Sequence, residues 1–135
     1  MGYLTGVALK DAIGEIMAGD NPRMCVAFLG RTWPEELFET GERPKDLRVI
    51  CDLQMGGTVR AALKAGGAPD NPNLRHIKSK GMHAKVYLSD LGAVVGSANA
   101  SKAAFDASRI EVPRQGVLFL CYNLIQTYLK PLEGN

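Results

Sequence analysis

The sequence predicts a single α/β domain over residues 1–135, with a mixed β-sheet flanked by helices on both faces. Two observations support this class. Short apolar runs typical of buried strands alternate with segments whose apolar residues recur at helical spacing. Two further runs, within residues 83–99, are separated by a short turn that contains glycine, as in a β-hairpin. The alternation favours parallel strands joined by helices, and the hairpin adds an antiparallel part.

The predicted elements follow in chain order. Helical periodicity over 4–18 indicates a first helix, which Gly19-Asp20-Asn21-Pro22 ends. A third helix is expected to open at Gly56-Gly57-Thr58 and run to Lys64, with Thr58 as its N-cap. The other predicted elements are strands over 24–29, 47–53, 74–77 and 115–121, the hairpin, and helices over 34–40, 99–106 and 123–132.

Composition limits the function classes. With 46% hydrophobic and 22% charged residues and a net charge of +2, the chain has no overall basic field, so any basic footprint must be local. The three cysteines lie far apart in apolar runs and form neither a disulfide framework nor a metal-ligand pattern. No apolar run reaches transmembrane length, and no signal layout is seen. We expect a cytoplasmic protein without membrane insertion, metal or cofactor.

The stretch His83–Asn99 carries the clearest chemical pattern. His83 and Lys85 are two residues apart in an alternating run, so on a strand both side chains lie on one face. The intervening apolar positions, Ala84, Val86 and Leu88, are expected to face a core.

A three-residue loop, 90–92, is predicted to close the hairpin, with Gly92 in the left-handed position. This register sets Lys85 opposite Ser97 and His83 opposite Asn99. An imidazole, an ammonium, a hydroxyl and an amide would then form one cluster suited to an anionic phosphate.

The order of these residues resembles the signature of the phospholipase D superfamily, His-x-Lys, then Asp, then Gly-Ser-x-Asn. Its members here are His83, Lys85, Asp90, Gly96, Ser97 and Asn99. The chain departs from the signature at one point, since five residues rather than six separate Asp90 from Gly96.

The resemblance implies a fold and a mechanism. His83 would attack phosphorus to form a phosphohistidine, while Lys85 holds a non-bridging oxygen and Ser97 and Asn99 add hydrogen bonds. The histidine of a second motif would protonate the leaving oxygen. Because this chain has one such motif, the resemblance implies a homodimer with one composite site.

Other residues receive narrower predictions. Glu111 stands where the family tends to have an acidic or amide residue, and it would either orient the imidazole or be a solvated strand residue. Asp90 is assigned to the turn, together with Gly92 and Gly96. Lys78 and Lys80 form a basic stretch that would guide a polyanion to His83, unless it is only a solvated loop.

The predicted function is a metal-independent phosphodiesterase, and the preferred interpretation is a nuclease that cleaves DNA or RNA. Two alternatives stay open. One is a phospholipase or transphosphatidylase acting on lipids. The other is a non-catalytic module that binds phosphate backbones and dimerises within a larger protein.

Overall fold

The described residues form a sheet of five strands. The computed structural model describes residues 6–54, 56–77, 83–96, 98–102 and 104. The strands are β1 (Arg23–Val26), β2 (Arg48–Asp52), β3 (Leu74–Ile77), β4 (Lys85–Ser89) and β5 (Gly92–Val95). Their spatial order is β3-β2-β1-β4-β5. β1 and β2 are parallel, as are β2 and β3, whereas β4 runs antiparallel to β1 and β5. The predicted α/β class with a mixed sheet is confirmed.

Three helices in the described part of the chain connect or cover these strands. They are α1 (Gly6–Met17), α2 (Trp33–Leu37) and α3 (Arg60–Ala65). α2 links β1 to β2 and α3 links β2 to β3, as parallel strands require crossover connections. The predicted helix over 34–40 ends early because Phe38 is already extended, at φ −120° and ψ 130°.

The helices share one side of the sheet. Ile13 and Met17 of α1, Trp33 of α2 and Ala62 of α3 are fully buried in one apolar cluster with alternate residues of the strands. The indole Nε1 of Trp33 donates a hydrogen bond to the Ala62 carbonyl oxygen at 3.0 Å, which ties α2 to α3. This buried bond satisfies the only polar atom of the indole ring.

The opposite face has its own buried cluster. Cys25, Ile50, Ala84 and Val86 alternate in sequence with residues of the first cluster, so they lie on the other side of the pleat. Among the described residues, the three helices contribute to the first cluster only. The helix predicted over 123–132 and the strand over 115–121 lie outside the described residues, so the expectation of helices on both faces stays a prediction.

The first strand ends earlier than predicted. β1 stops at Val26 rather than at residue 29, and residues 27–30 leave the sheet as a segment that we call the post-β1 loop. A single parallel bridge joins Leu29 of this loop to Ala100, and the Gly30 N–H donates to the Ala100 carbonyl oxygen at 2.7 Å. Leu29 is completely buried although it does not pair with β2. Its burial explains why the apolar run in the sequence extends beyond the end of the strand.

The hairpin is closed by a shorter loop than predicted. Ser89 pairs with Gly92 and Val86 with Val95, so only Asp90 and Leu91 lie between the strands. The predicted register is therefore wrong by one residue. Lys85 lies opposite Gly96, whose N–H donates to the Lys85 carbonyl oxygen at 3.2 Å, rather than opposite Ser97.

No helix in the described part of the chain is long and apolar enough to cross a membrane.

Candidate functional site

His83 stands just before β4, and its side chain is exposed. Its ring approaches the ring of Phe28 in the post-β1 loop, edge to face, with centroids 6.3 Å apart and planes at 65°. This geometry is a favourable one for two aromatic rings. The imidazole is thus accessible to solvent and held beside a fixed neighbour, as a nucleophile needs.

Lys85 is buried on the same side of β4, with a relative exposure of 5%. Its Nζ donates a hydrogen bond to the His83 carbonyl oxygen at 2.9 Å. Burial of an ammonium is costly unless hydrogen bonds or charges compensate it, so such a lysine usually has a specific role. The ammonium lies directly behind the residue that presents the imidazole.

Asn99 is brought to the same place by the post-β1 loop. Its Oδ1 accepts a hydrogen bond from the Phe28 N–H at 3.0 Å, across 71 positions of sequence. This oxygen is therefore already hydrogen-bonded, and the two N–H groups of the same amide are the ones that could donate hydrogen bonds to an anion. The Gly-Ser-x-Asn segment and the His-x-Lys segment therefore converge through Phe28.

Tyr87 fixes this convergence from inside the core. It follows Lys85 by two residues on the same face of β4 and is 1% exposed. Its hydroxyl donates to the Ala98 carbonyl oxygen at 2.7 Å, immediately before Asn99. Burial raises the pKa of the phenol, so the hydroxyl stays a donor across the physiological range. The sequence pattern placed only apolar positions of β4 in a core and missed this residue.

Thr58 was predicted to cap α3 and does not. The N-cap of α3 is Val59, with no side-chain hydrogen bond, whereas Thr58 Oγ1 accepts from the Leu29 N–H at 3.0 Å. The post-β1 loop is therefore held by Thr58 on one side and Asn99 on the other. Gly57, beside Thr58, lies against the Phe28 ring so closely that an added Cβ would overlap it.

The turn residues have structural roles. Asp90 is exposed, and its backbone N–H donates to the Asp20 carbonyl oxygen at 2.9 Å. Ser89 makes a side-chain hydrogen bond within this turn, since its Oγ accepts from the Leu91 N–H at 3.1 Å. Gly92 has a φ of +149°, which other residues rarely adopt. Gly96 continues the β4 pairing opposite Lys85.

Four predicted site residues lie outside the described residues: Lys78, Lys80, Ser97 and Glu111. Arg75 and His76, which precede Lys78 and Lys80 in the sequence, are described, and both are exposed on β3. Of the helix predicted over 99–106, only the beginning is described. There Ser101 Oγ accepts from the Ala104 N–H at 3.2 Å, the pattern of an N-cap.

Two further acidic or ionisable side chains lie near the end of β2. Asp52 is fully buried, and its Oδ1 accepts from the Gln54 N–H at 2.6 Å, which closes a turn after the strand. Burial, with a smaller contribution from the Asp52 charge, raises the pKa of the Cys51 thiol to about 11. Cys51 is therefore a protonated core residue rather than a nucleophile.

A groove of about 1030 Å³ lies elsewhere, between α1 and the segment 35–46. Its lining includes several carboxylates, among them Glu35, Glu39 and Glu42, and neither His83 nor Lys85. An acidic lining repels a phosphate, so we do not assign the groove to the reaction. Within the described ranges, no three His, Cys, Asp or Glu side chains group as metal ligands would.

Comparison of the chain with family models, with curated proteins and with solved structures found no match.

Proposed function

We propose that this protein is a phosphodiesterase of the phospholipase D type, most simply a nuclease, in which His83 is the nucleophile. The observation that carries the proposal is the convergence around His83. An exposed imidazole, a buried ammonium bonded to the same residue's carbonyl, and the Asn99 amide are linked through Phe28. Asn99 and Phe28 come from other parts of the sequence than His83 and Lys85, and the three polar groups are of the types that a phosphoryl transfer requires.

In the first step, a ring nitrogen of His83 attacks phosphorus and forms an N–P bond while the bond from phosphorus to the leaving oxygen breaks. The leaving oxygen takes a proton from a second imidazole on the opposite side of phosphorus. The oxygen of a water molecule then attacks the phosphorus of the phosphohistidine and forms a P–O bond while the N–P bond breaks. The water gives a proton to the second imidazole, the phosphate monoester is released and His83 is free again. Two steps of this kind replace one difficult displacement.

Lys85 and Asn99 would act on the charge that develops at phosphorus. The Lys85 ammonium is held by the backbone of residue 83, so little reorganisation is needed when an oxygen of the phosphate arrives. The Asn99 amide is fixed by its oxygen, which leaves its N–H groups as donors to a second oxygen.

The second imidazole would come from a second copy of the chain. The chain has only two histidines, and His76 lies on β3, separated from β4 by β2 and β1. A two-fold dimer would bring His83 of both copies around one phosphate. The proposed site is therefore composite.

The test is a cleavage assay with three labelled substrates: single-stranded DNA, RNA and phosphatidylcholine vesicles. We expect cleavage of nucleic acid that continues in EDTA, because the proposed steps use only imidazole and amine chemistry. Trapping in acid-free gels with a ³²P-labelled substrate should show label on the wild-type protein.

His83→Asn is the matched variant, since it keeps a polar side chain at an exposed position. It should keep the wild-type melting temperature and lose both cleavage and protein labelling. Cleavage of the vesicles alone would indicate the lipid alternative, and phosphate-backbone binding without cleavage would indicate the non-catalytic module. Full cleavage by His83→Asn would refute the assignment.

A further inference from the structure

The aromatic ring of Phe28 lies beside His83 and suggests what kind of substrate binds there. Phe28 is half buried, so part of an aromatic ring lies in solvent next to an exposed imidazole. An apolar ring at the rim of a polar cluster is not needed to bind phosphate, which interacts with charges and N–H groups. Phosphate binding alone therefore does not explain why a partly exposed phenyl ring lies at this position.

Phe28 is held firmly in this position. The N–H of Phe28 donates to Asn99 Oδ1 and that of Leu29 to Thr58 Oγ1, both at 3.0 Å. The N–H of Gly30 donates to the Ala100 carbonyl oxygen at 2.7 Å. Three consecutive backbone donors of the post-β1 loop are thus fixed by partners from two other segments.

One side of the ring also has a rigid backing. Gly57 lies so close to the Phe28 ring that an added Cβ would overlap it, so the backbone itself supports the ring. With Gly57 behind it and His83 at an angle of 65° beside it, the ring is a fixed surface rather than a freely rotating side chain. A fixed aromatic surface binds a planar group with little loss of conformational entropy.

We propose that Phe28 is a stacking platform for a nucleobase adjoining the scissile phosphate, so that the substrate is single-stranded nucleic acid. The inference rests on the proposed function, and it narrows the substrate class. A base within a duplex is already stacked on both faces, whereas a base in a single strand has a face to offer. A lipid headgroup has no planar ring to stack on Phe28, and a choline headgroup would make a cation–π contact instead.

The test compares two substrates that differ only in the stacking partner. One is a fluorescent single-stranded oligonucleotide, and the other has abasic spacers in place of the central nucleotides, with all phosphates retained. Affinities are measured by anisotropy for three proteins that all have His83→Asn to prevent cleavage and that differ at position 28, which is the wild-type Phe, Leu or Trp. Phe38→Leu is the matched control, because Phe38 is buried in the apolar core, with its ring edge to face against Trp33.

Phe28→Leu should raise Kd for the base-containing strand about ten- to a hundredfold, the size expected for loss of one base–aromatic stack. It should change Kd for the abasic strand by less than about twofold, and Phe28→Trp should retain tight binding. Phe38→Leu should leave both affinities unchanged.

An equal effect of Phe28→Leu on both strands, or no effect on either, would overturn the platform, as would failure of the wild type to bind the base-containing strand. A different result separates this inference from the proposed function. Base-dependent binding through Phe28 in a protein whose wild type cleaves no nucleic acid would keep the platform and reject the catalytic role of His83.

Discussion

At the scale of single residues, Lys85 is the most informative side chain. A lysine at 5% exposure loses most of its hydration, so its ammonium is stable there only where hydrogen bonds or charges compensate it, the His83 carbonyl oxygen among them. The ammonium is also next to His83, where it could meet an oxygen of a bound anion, which is the role proposed for it.

Lys85→Met tests this use. Methionine keeps the apolar part of the side chain but loses the hydrogen bonding of the ammonium, so stability should fall by about 1–3 kcal/mol. The loss of transition-state stabilisation should be about 2–4 kcal/mol, which lowers kcat about thirty- to a thousandfold. The measurements are kcat by quenched time course and unfolding by urea.

Lys64→Met provides the control, since it removes the same charge from an exposed position of α3. It should lower kcat less than about twofold. A Lys85→Met protein whose activity falls only as its folded fraction falls would show that Lys85 is a structural cation.

Cys51 provides a pH prediction. Burial raises the pKa of its thiol from 9.0 to about 11, so the folded state keeps the proton longer than the unfolded state as pH rises. The resulting contribution to stability is fully present below pH 9 and is lost between pH 9 and about 11. The loss is on the order of 2 kcal/mol.

Urea titrations at pH 8, 9, 10 and 11 on the wild type and Cys51→Ala check this. The variant should be less stable at pH 8 because it leaves a small cavity, but the difference between the two proteins should narrow as pH rises. Tyr87 adds to the alkaline loss in both proteins, since burial raises the pKa of its phenol as well. A constant difference across this pH range would contradict the prediction.

At the scale of elements, β4 organises the site. One face of this short strand has Lys85, Tyr87 and Ser89, all nearly buried, and the other has Val86 in the second core cluster. Lys85 supports His83, Tyr87 holds Ala98, and Ser89 closes the turn to β5. A strand buried on both faces is a rigid support for a site at its end.

Tyr87→Phe tests whether β4 positions Asn99. Removal of the hydroxyl leaves the buried Ala98 carbonyl oxygen without this donor, which should cost about 1–3 kcal/mol of stability. Since Ala98 precedes Asn99, kcat should fall beyond what the loss of folded protein explains, with little change in KM. Both are measured from initial rates at a temperature where the variant is fully folded.

Trp33→Phe is the comparison variant, because it also removes a buried bond from a ring to a carbonyl oxygen, between α2 and α3. It should destabilise the protein at least as much and leave the kcat of the folded protein unchanged. Equal losses of kcat in the two variants would mean that Tyr87 acts only through stability.

Much of the element order could be predicted from local patterns. The apolar runs before Gly30 and around residues 47–53 gave β1 and β2, and residues 74–77 match β3. The alternation of apolar and polar residues after His83 predicted β4, with Ala84 and Val86 facing a core, and both residues lie in the second buried cluster. Such predictions succeed because periodicity reports which side chains are buried.

The remaining features depend on contacts between distant residues. Thr58 has the sequence context of an N-cap, but its hydroxyl binds the backbone of Leu29, 29 positions away. The hairpin register depends on whether Gly92 belongs to the loop or to the strand, and both fit the alternation. The contact of Phe28 with His83 and Asn99 has no local signal at all. These are the contacts that assemble the candidate site.

At the scale of the whole molecule, the proposed chemistry requires a second copy. One chain offers one convergent set around His83, and an imidazole cannot both attack phosphorus and protonate the oxygen that leaves from the opposite side. His83 and Phe28 lie at the edge of the sheet where β4 begins, and both are at least partly exposed there. The predicted isologous contact around 81–99 and 108–116 would bring the two sites together. Residues 81, 82, 97 and 108–116 of that contact lie outside the described residues.

Light scattering should therefore give about twice the 14.5 kDa mass of the chain. The sharper test mixes wild type with His83→Asn after unfolding and joint refolding, so that subunits redistribute at random. If only dimers with two imidazoles are active, an equal mixture should have about a quarter of the wild-type activity, because activity follows the square of the wild-type fraction. Mixing with Lys64→Met, the exposed-charge control, should leave activity unchanged. A mixing curve linear in wild-type fraction, or full activity in a monomer, would show that each chain has a complete site.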